Sequence, residues 1–75
     1  MKNYYIIYVE TGEYESIATR ICESFDEAKS HIMEYEGWWS DKGTCCIKEI
    51  NENCRCLQTW LFKNGEQTRH IDHRQ

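Results

Sequence analysis

Residues 23–43, ESFDEAKSHIMEYEGWWSDKG, decide the fold, because they carry the one convincing helical pattern among segments that resemble strands. Ser24 is a favourable N-cap residue, and Glu27 three positions later completes a capping box. The apolar residues recur at spacings of three and four and form one stripe: Phe25, Ala28, Ile32, Tyr35 and Trp39. A sheet is expected to cover that stripe.

The segments on either side of the helix are typical of β-strands. Residues 3–9 are largely β-branched or aromatic, and residues 14–22 alternate in polarity, so these two ranges predict an antiparallel hairpin. Residues 44–50 and 54–62 predict a second hairpin, closed by a turn at residues 51–53.

A further turn predicts an additional edge strand. Asn64-Gly65 is the strongest short hairpin signal in the chain, and residues 66–71 return from it as a short polar strand. The predicted class is α+β: an antiparallel sheet of four to five strands in the order β-β-α-β-β, with one helix on one face. Residues 1–75 form one domain, and residues 72–75 are expected to fray. The other sheet face stays half apolar, which is typical of a binding surface.

The net charge of −4 is unevenly distributed along the chain. Residues 1–36 carry a net charge of −5 and residues 37–75 carry +1. An acidic surface repels phosphates, so we expect no direct binding to nucleic acid and favour a basic protein partner. No apolar run approaches the roughly 20 residues that cross a bilayer, and the first ten residues do not resemble a signal peptide. These observations predict a cytoplasmic protein that does not enter membranes.

Four of the five cysteines fall within twelve residues: Cys45, Cys46, Cys54 and Cys56. Their Cys-Cys-x7-Cys-x-Cys spacing differs from a zinc knuckle, so we expect free thiols that act as small apolar residues, with no metal and no cofactor. If a metal is present, its ligands are expected to be Cys54, Cys56 and His70. A zinc- or thiol-dependent protein that uses the Cys45–Cys56 cluster stays open as an alternative.

Tryptophans and glutamates provide the candidate binding residues. Trp38 and Trp39 are adjacent, so both cannot point into one core, and Trp60 lies in a strand that is apolar on both faces. Such rings often anchor protein interfaces. Four glutamates in the acidic half are expected to steer a partner: Glu13, Glu15, Glu34 and Glu36. A small-ligand or nucleotide-sequestering oligomer, in which the aromatic rings stack on a base, stays open, as does a homodimer.

As a whole, the chain resembles short single-domain proteins encoded by bacteriophages and mobile elements. The similarity lies in the tyrosine-rich opening KNYYIIYVE, the capped segment SFDEAKSHIMEYEGWW and the closing TWLFKNGEQ. Anti-CRISPR and other anti-defence inhibitors belong to this group, and the resemblance implies a non-enzymatic protein that occludes a host protein. We therefore expect a binding protein without catalytic activity.

Overall fold

The computed structural model describes residues 2–12, 15–34 and 44–74. The elements are β1 (Tyr4–Gly12), β2 (Glu15–Cys22), α1 (Phe25–Glu34), β3 (Thr44–Ile50), β4 (Cys56–Lys63) and β5 (Glu66–Asp72). All five strands form one antiparallel sheet in the order β2-β1-β3-β4-β5. The predicted α+β class, the β-β-α-β-β order and the additional edge strand are confirmed.

The pairing of β1 with β3 joins the two predicted hairpins into one sheet. Because β2 and β3 are both antiparallel to β1, they run parallel to each other, and parallel strands need a crossover connection. Helix α1 lies in this connection and packs over β2, β1 and β3. The core between helix and sheet comprises Ile7, Cys22, Ala28, Ile32, Cys45, Ile47 and Phe62.

The helix begins where the capping box predicts. Ser24 Oγ accepts a hydrogen bond from the Glu27 backbone N–H at 3.1 Å, and Glu27 Oε2 accepts one from the Glu23 N–H at 3.2 Å. Ala28 and Ile32 are fully buried, as the apolar stripe predicts. The last two residues of the predicted stripe, Tyr35 and Trp39, lie outside the described residues. No helix in the described ranges is both long and apolar enough to span a bilayer.

The connection between β3 and β4 differs from the prediction. Asn51 Oδ1 accepts hydrogen bonds from the backbone N–H groups of Asn53 and Arg55, at 2.9 and 3.0 Å, and so holds a longer turn together. Cys54 lies inside this turn with φ of 62°, a left-handed conformation that a strand cannot contain. The prediction that the fourth strand starts at Cys54 was therefore wrong, and β4 starts at Cys56.

The second turn follows its sequence signal. Asn64 and Gly65 have φ values of 51° and 84°, as a type I′ hairpin turn requires at its two central residues. The strand that follows extends to Asp72, and the His73 N–H then donates to Leu57 O at 2.9 Å. The fraying of residues 72–75 concerns their dynamics and stays a prediction.

Replacing Ser24 with alanine should destabilise the protein by about 1 kcal/mol, because the Glu27 N–H loses its acceptor at the start of the helix. Urea unfolding followed by circular dichroism measures this change. Ser30→Ala is the matched control, since Ser30 is an exposed residue within the same helix and alanine has the higher helix propensity. Equal losses in both variants would contradict a capping role for Ser24.

Candidate functional site

The sheet face opposite the helix, here called the open face, carries mostly apolar side chains. Side chains alternate between the two faces of a sheet, so the neighbours of the buried Ile7 and Ile47 point away from the helix. Strand pairing then places these residues together on the open face: Tyr4, Ile6, Tyr8, Ile21, Cys46, Lys48, Ile50 and Leu61. Tyr4 is 37% exposed and Ile21 is 66% exposed, so large apolar groups face solvent here.

One end of the open face contains an apolar hollow. Its walls are formed by Tyr4, Ile6, Ile21 and Ile50 together with the turn after β3, and its volume is about 290 Å³. The alternation of residues in the first strand predicts Tyr4 and Ile6 on one face. Only the cross-strand register adds Ile21 from β2 and Ile50 from β3, and that register is not readable from a single sequence.

The other end of the open face contains an acidic hollow of about 350 Å³, lined by Tyr8, Glu10, Glu15 and their neighbours. The Thr44 hydroxyl donates to Glu10 Oε2 at 2.6 Å and so fixes the orientation of this carboxylate. Two carboxylates beside aromatic and aliphatic groups make a surface that attracts cationic side chains and repels phosphates.

Lys48 lies between the two hollows. Its Nζ atom is 5.0 Å from the centre of the Tyr8 ring, within range of a cation–π interaction. This contact holds the lysine stem against the sheet, so that the stem adds apolar surface to the open face.

The structure separates the predicted partner-binding residues. Glu15 lines the acidic hollow, Glu34 is exposed at the end of α1, and Trp60 lies on the helix-covered face of β4. These three residues therefore do not form one surface. The other four predicted residues, Glu13, Glu36, Trp38 and Trp39, lie outside the described residues.

Trp60 is surrounded by rings of its own chain. The Phe25 ring centre is 4.5 Å from that of the indole, and the His70 ring stacks on the indole at 5.2 Å with an angle of 5° between the planes. His70 Nε2 also lies 2.7 Å from Gln58 Oε1, which fixes the imidazole in the stack. The indole is therefore half-buried and engaged in packing, an arrangement that leaves little ring surface for a nucleotide base.

A polar network lies beside this aromatic cluster and is centred on Glu49, which is only 6% exposed. Asn3 Nδ2 and Tyr5 Oη donate to its Oε2 at 3.0 and 2.9 Å. Gln58 Nε2 donates to its Oε1 at 2.7 Å. Burial raises the pKa of Glu49, but these three hydrogen bonds and the charge of Arg74 outweigh that effect and lower the pKa below 4.5. The network therefore stabilises a buried carboxylate.

The ligands that we expected for a metal, if one is present, are not brought together. Cys54 is exposed in the turn, and Cys56 Sγ lies 3.6 Å from Thr59 Oγ1, whereas His70 stacks on Trp60. In residues 2–12, 15–34 and 44–74, one group of three potential ligands has its donor atoms within 4.8 Å of one another: Cys22, Glu27 and His31. The sequence reasoning missed this group because Cys22 lies apart from the other cysteines.

The buried thiols are poor candidates for thiol chemistry. Burial, together with the neighbouring Cys46, raises the pKa of Cys45 to about 12, and burial also raises the pKa of Cys46. A thiol with a raised pKa forms little of the nucleophilic thiolate at neutral pH.

We found no protein-family model that matches the chain, and no curated protein or solved structure with significant similarity to it. The candidate site is therefore defined by the geometry of this chain.

Glu49→Gln should destabilise the protein by about 1–3 kcal/mol at pH 7, because an amide cannot accept from all three donors around it. Since folding lowers the pKa of Glu49 below 4.5, the advantage of the wild type is full above about pH 4.5 and disappears as the pH falls further. Urea unfolding of both proteins between pH 3 and pH 7 measures this. A difference that is independent of pH would contradict a role for the carboxylate charge.

The five thiols should react with a disulfide reagent such as DTNB in an order set by burial. Cys54 is exposed and should react first, whereas Cys22 and Cys45 are buried and should react only on unfolding. Cys54→Ser should remove the fast phase from the absorbance trace. A fast phase that persists in this variant would show that a different thiol is accessible.

Proposed function

We propose that this chain is a non-enzymatic binding protein whose open face docks onto a protein partner and occludes it. The observation that carries the proposal is the juxtaposition of the apolar hollow and the acidic hollow on one sheet face. An exposed apolar surface beside polar groups is the usual composition of a protein-binding site.

Charge indicates what kind of partner fits. The acidic hollow offers the carboxylates of Glu10 and Glu15, and the whole chain has a net charge of −4. A partner with lysine or arginine next to an apolar protrusion complements both hollows, and its charge would accelerate association. Nucleic acid and free nucleotides are disfavoured, because the same carboxylates repel their phosphates.

The size of the face indicates how much of it the partner must use. Five strands about 4.8 Å apart, each of about eight residues that rise 3.3 Å apiece, form a face of roughly 20 by 26 Å. That is smaller than the roughly 800 Å² that each partner buries in a standard interface. The partner must therefore contact both hollows and the surrounding loops, rather than one hollow alone.

The resemblance to phage-encoded anti-defence inhibitors stays a prediction, as does a cytoplasmic location. Both are compatible with occlusion of a protein partner.

Ile21→Asp should weaken partner binding by at least about 2 kcal/mol, or roughly thirtyfold in Kd, because it places a charge in the apolar hollow. Ile17→Asp is the matched control. Ile17 is also exposed in β2, at 55%, but it is opposite Val9 and lies on the other sheet face. The measurement is affinity capture with each variant as bait, followed by titration of any protein that the wild type retains.

The two glutamates that the structure separates provide a second matched pair. Glu15→Lys should weaken the complex and reduce the dependence of its Kd on salt concentration. Glu34→Lys, the same charge change on the helix, should change neither.

A protein lost equally from the Ile17 and Ile21 variants would contradict the proposed surface. A wild-type homodimer that Ile21→Asp converts to a monomer would show instead that a second copy covers the open face.

A further inference from the structure

Three side chains that can bind metal meet between the end of β2 and the first turns of α1. Cys22 is the last residue of β2, Glu27 is the third residue of α1, and His31 lies one helical turn later. Residues four positions apart share one side of a helix, so Glu27 and His31 both face the end of β2. Their donor atoms and Cys22 Sγ all lie within 4.8 Å of one another.

His31 has a nitrogen without a partner in this group. Arg20 Nη1 lies 3.1 Å from His31 Nε2, and because a guanidinium only donates, Nε2 must be the acceptor. The other nitrogen, Nδ1, is buried and has no hydrogen-bond partner in the described part of the chain. A buried polar atom is normally paired. With Nε2 as the acceptor, the neutral ring carries its proton on Nδ1, so a metal ion can bind Nδ1 only when the proton moves to Nε2 and Arg20 turns away from the ring.

The surroundings of Cys22 also suit a cation. The cysteine is 1% exposed, and the donor atoms of Cys22, Glu27 and His31 lie within 4.8 Å of one another. A divalent cation would supply positive charge to the thiol and to the carboxylate, since a coordinating thiol loses its proton outright. Glu27 Oε2 accepts the Glu23 N–H, and Oε1 has no partner among the described residues.

We propose that Cys22, Glu27 and His31 bind a zinc ion. A thiolate, an imidazole and a carboxylate are all zinc ligands, whereas calcium and magnesium prefer oxygen alone. Bond lengths of about 2.0–2.3 Å in a tetrahedral site separate its ligand atoms by about 3.5 Å. The present separations of at most 4.8 Å are close to that value, so rotamer changes are enough to close the site.

The ion would cross-link two elements that already pack against each other. It would attach the end of the edge strand β2 to the first half of α1 and leave a fourth coordination position for water. The inference is independent of the proposed docking function, because the cluster lies on the helix side of the sheet and the docking surface on the other.

The test is a titration of the metal-free, reduced protein with zinc sulfate alone and with cobalt chloride alone. We expect one zinc per chain, an increase in melting temperature of about 10–20 °C at a hundredfold excess over Kd, and a thiolate-to-cobalt charge-transfer band. His31→Gln should weaken zinc binding at least about a hundredfold, since loss of an outer-shell partner alone costs ten- to a hundredfold. His31→Gln is preferred to a Cys22 variant, because Cys22 belongs to the core and its replacement can unfold the protein.

Two further pairs of variants locate the site. His70→Gln and Cys54→Ser should bind zinc like the wild type, because neither residue belongs to the cluster. Arg20→Gln should tighten zinc binding several-fold by removing a positive charge next to His31, whereas Lys29→Gln on the helix surface should change it less. Absence of a one-to-one zinc complex, or zinc binding that survives His31→Gln, would overturn the proposal. Loss of binding in Cys54→Ser would do the same.

Discussion

The pairing of β1 with β3 is the interaction on which the rest of the structure depends. Each predicted hairpin is a two-stranded unit, and such units are marginal in water until a third strand and a packed face are added. Ile7 is opposite Ile47 in this pairing, and neither residue exposes any surface to solvent. The helix packs directly above them through Ala28 and Ile32. This cross-strand pair therefore joins the two hairpins, fixes the register between them and forms the sheet side of the core.

The position of the helix over one half of the sheet sets the character of each surface. Helix α1 packs over β2, β1 and β3 and contacts β4 through Phe25, while β5 extends beyond it. Beside the start of the helix the chain uses aromatic stacking and hydrogen bonds, as in the Trp60–His70 stack and the Glu49 network. The opposite face has no equivalent cover in the described residues, and it retains its apolar groups in contact with solvent. Within the described residues, the helix thus covers one sheet face and leaves the other, the proposed docking surface, exposed.

Local signals in the sequence were reliable where one short contact decides the structure. The Ser24 capping box and the Asn64-Gly65 turn depend on neighbours within a few residues, and both were predicted. Strand order was not predicted, because it depends on which hairpin edges meet. The predicted start of β4 after the Asn51 turn was two residues too early. The Asn51 side-chain amide accepts two backbone hydrogen bonds and so closes a longer turn than the composition suggests.

The candidate docking surface was harder to predict, because it combines residues that are distant in the chain. Alternation placed Tyr4 and Ile6 on one face, but Ile21 joins them only through the register of β1 with β2. The four clustered cysteines suggested a metal site within residues 45–56. Adjacent strand residues such as Cys45 and Cys46 point to opposite faces, however, and cannot both contribute to one site. The sequence does contain a signal for the proposed zinc site, since Glu27 and His31 are four residues apart in a helix that follows a cysteine. In this chain the spacing along the helix, and not the density of cysteines, marks the residues whose donor atoms lie close together.

The two proposed sites meet at β2, where adjacent residues face opposite sides of the sheet. Ile21 contributes to the apolar hollow and Cys22 to the metal-ligating group. An ion that fixes Cys22 would also limit the motion of the edge strand at Ile21, so less conformational entropy would be lost when a partner docks. Linkage makes this effect reciprocal: a metal that tightens docking must itself bind more tightly in the complex, by the same factor. The edge strand β2 is therefore the element that the two proposed sites share.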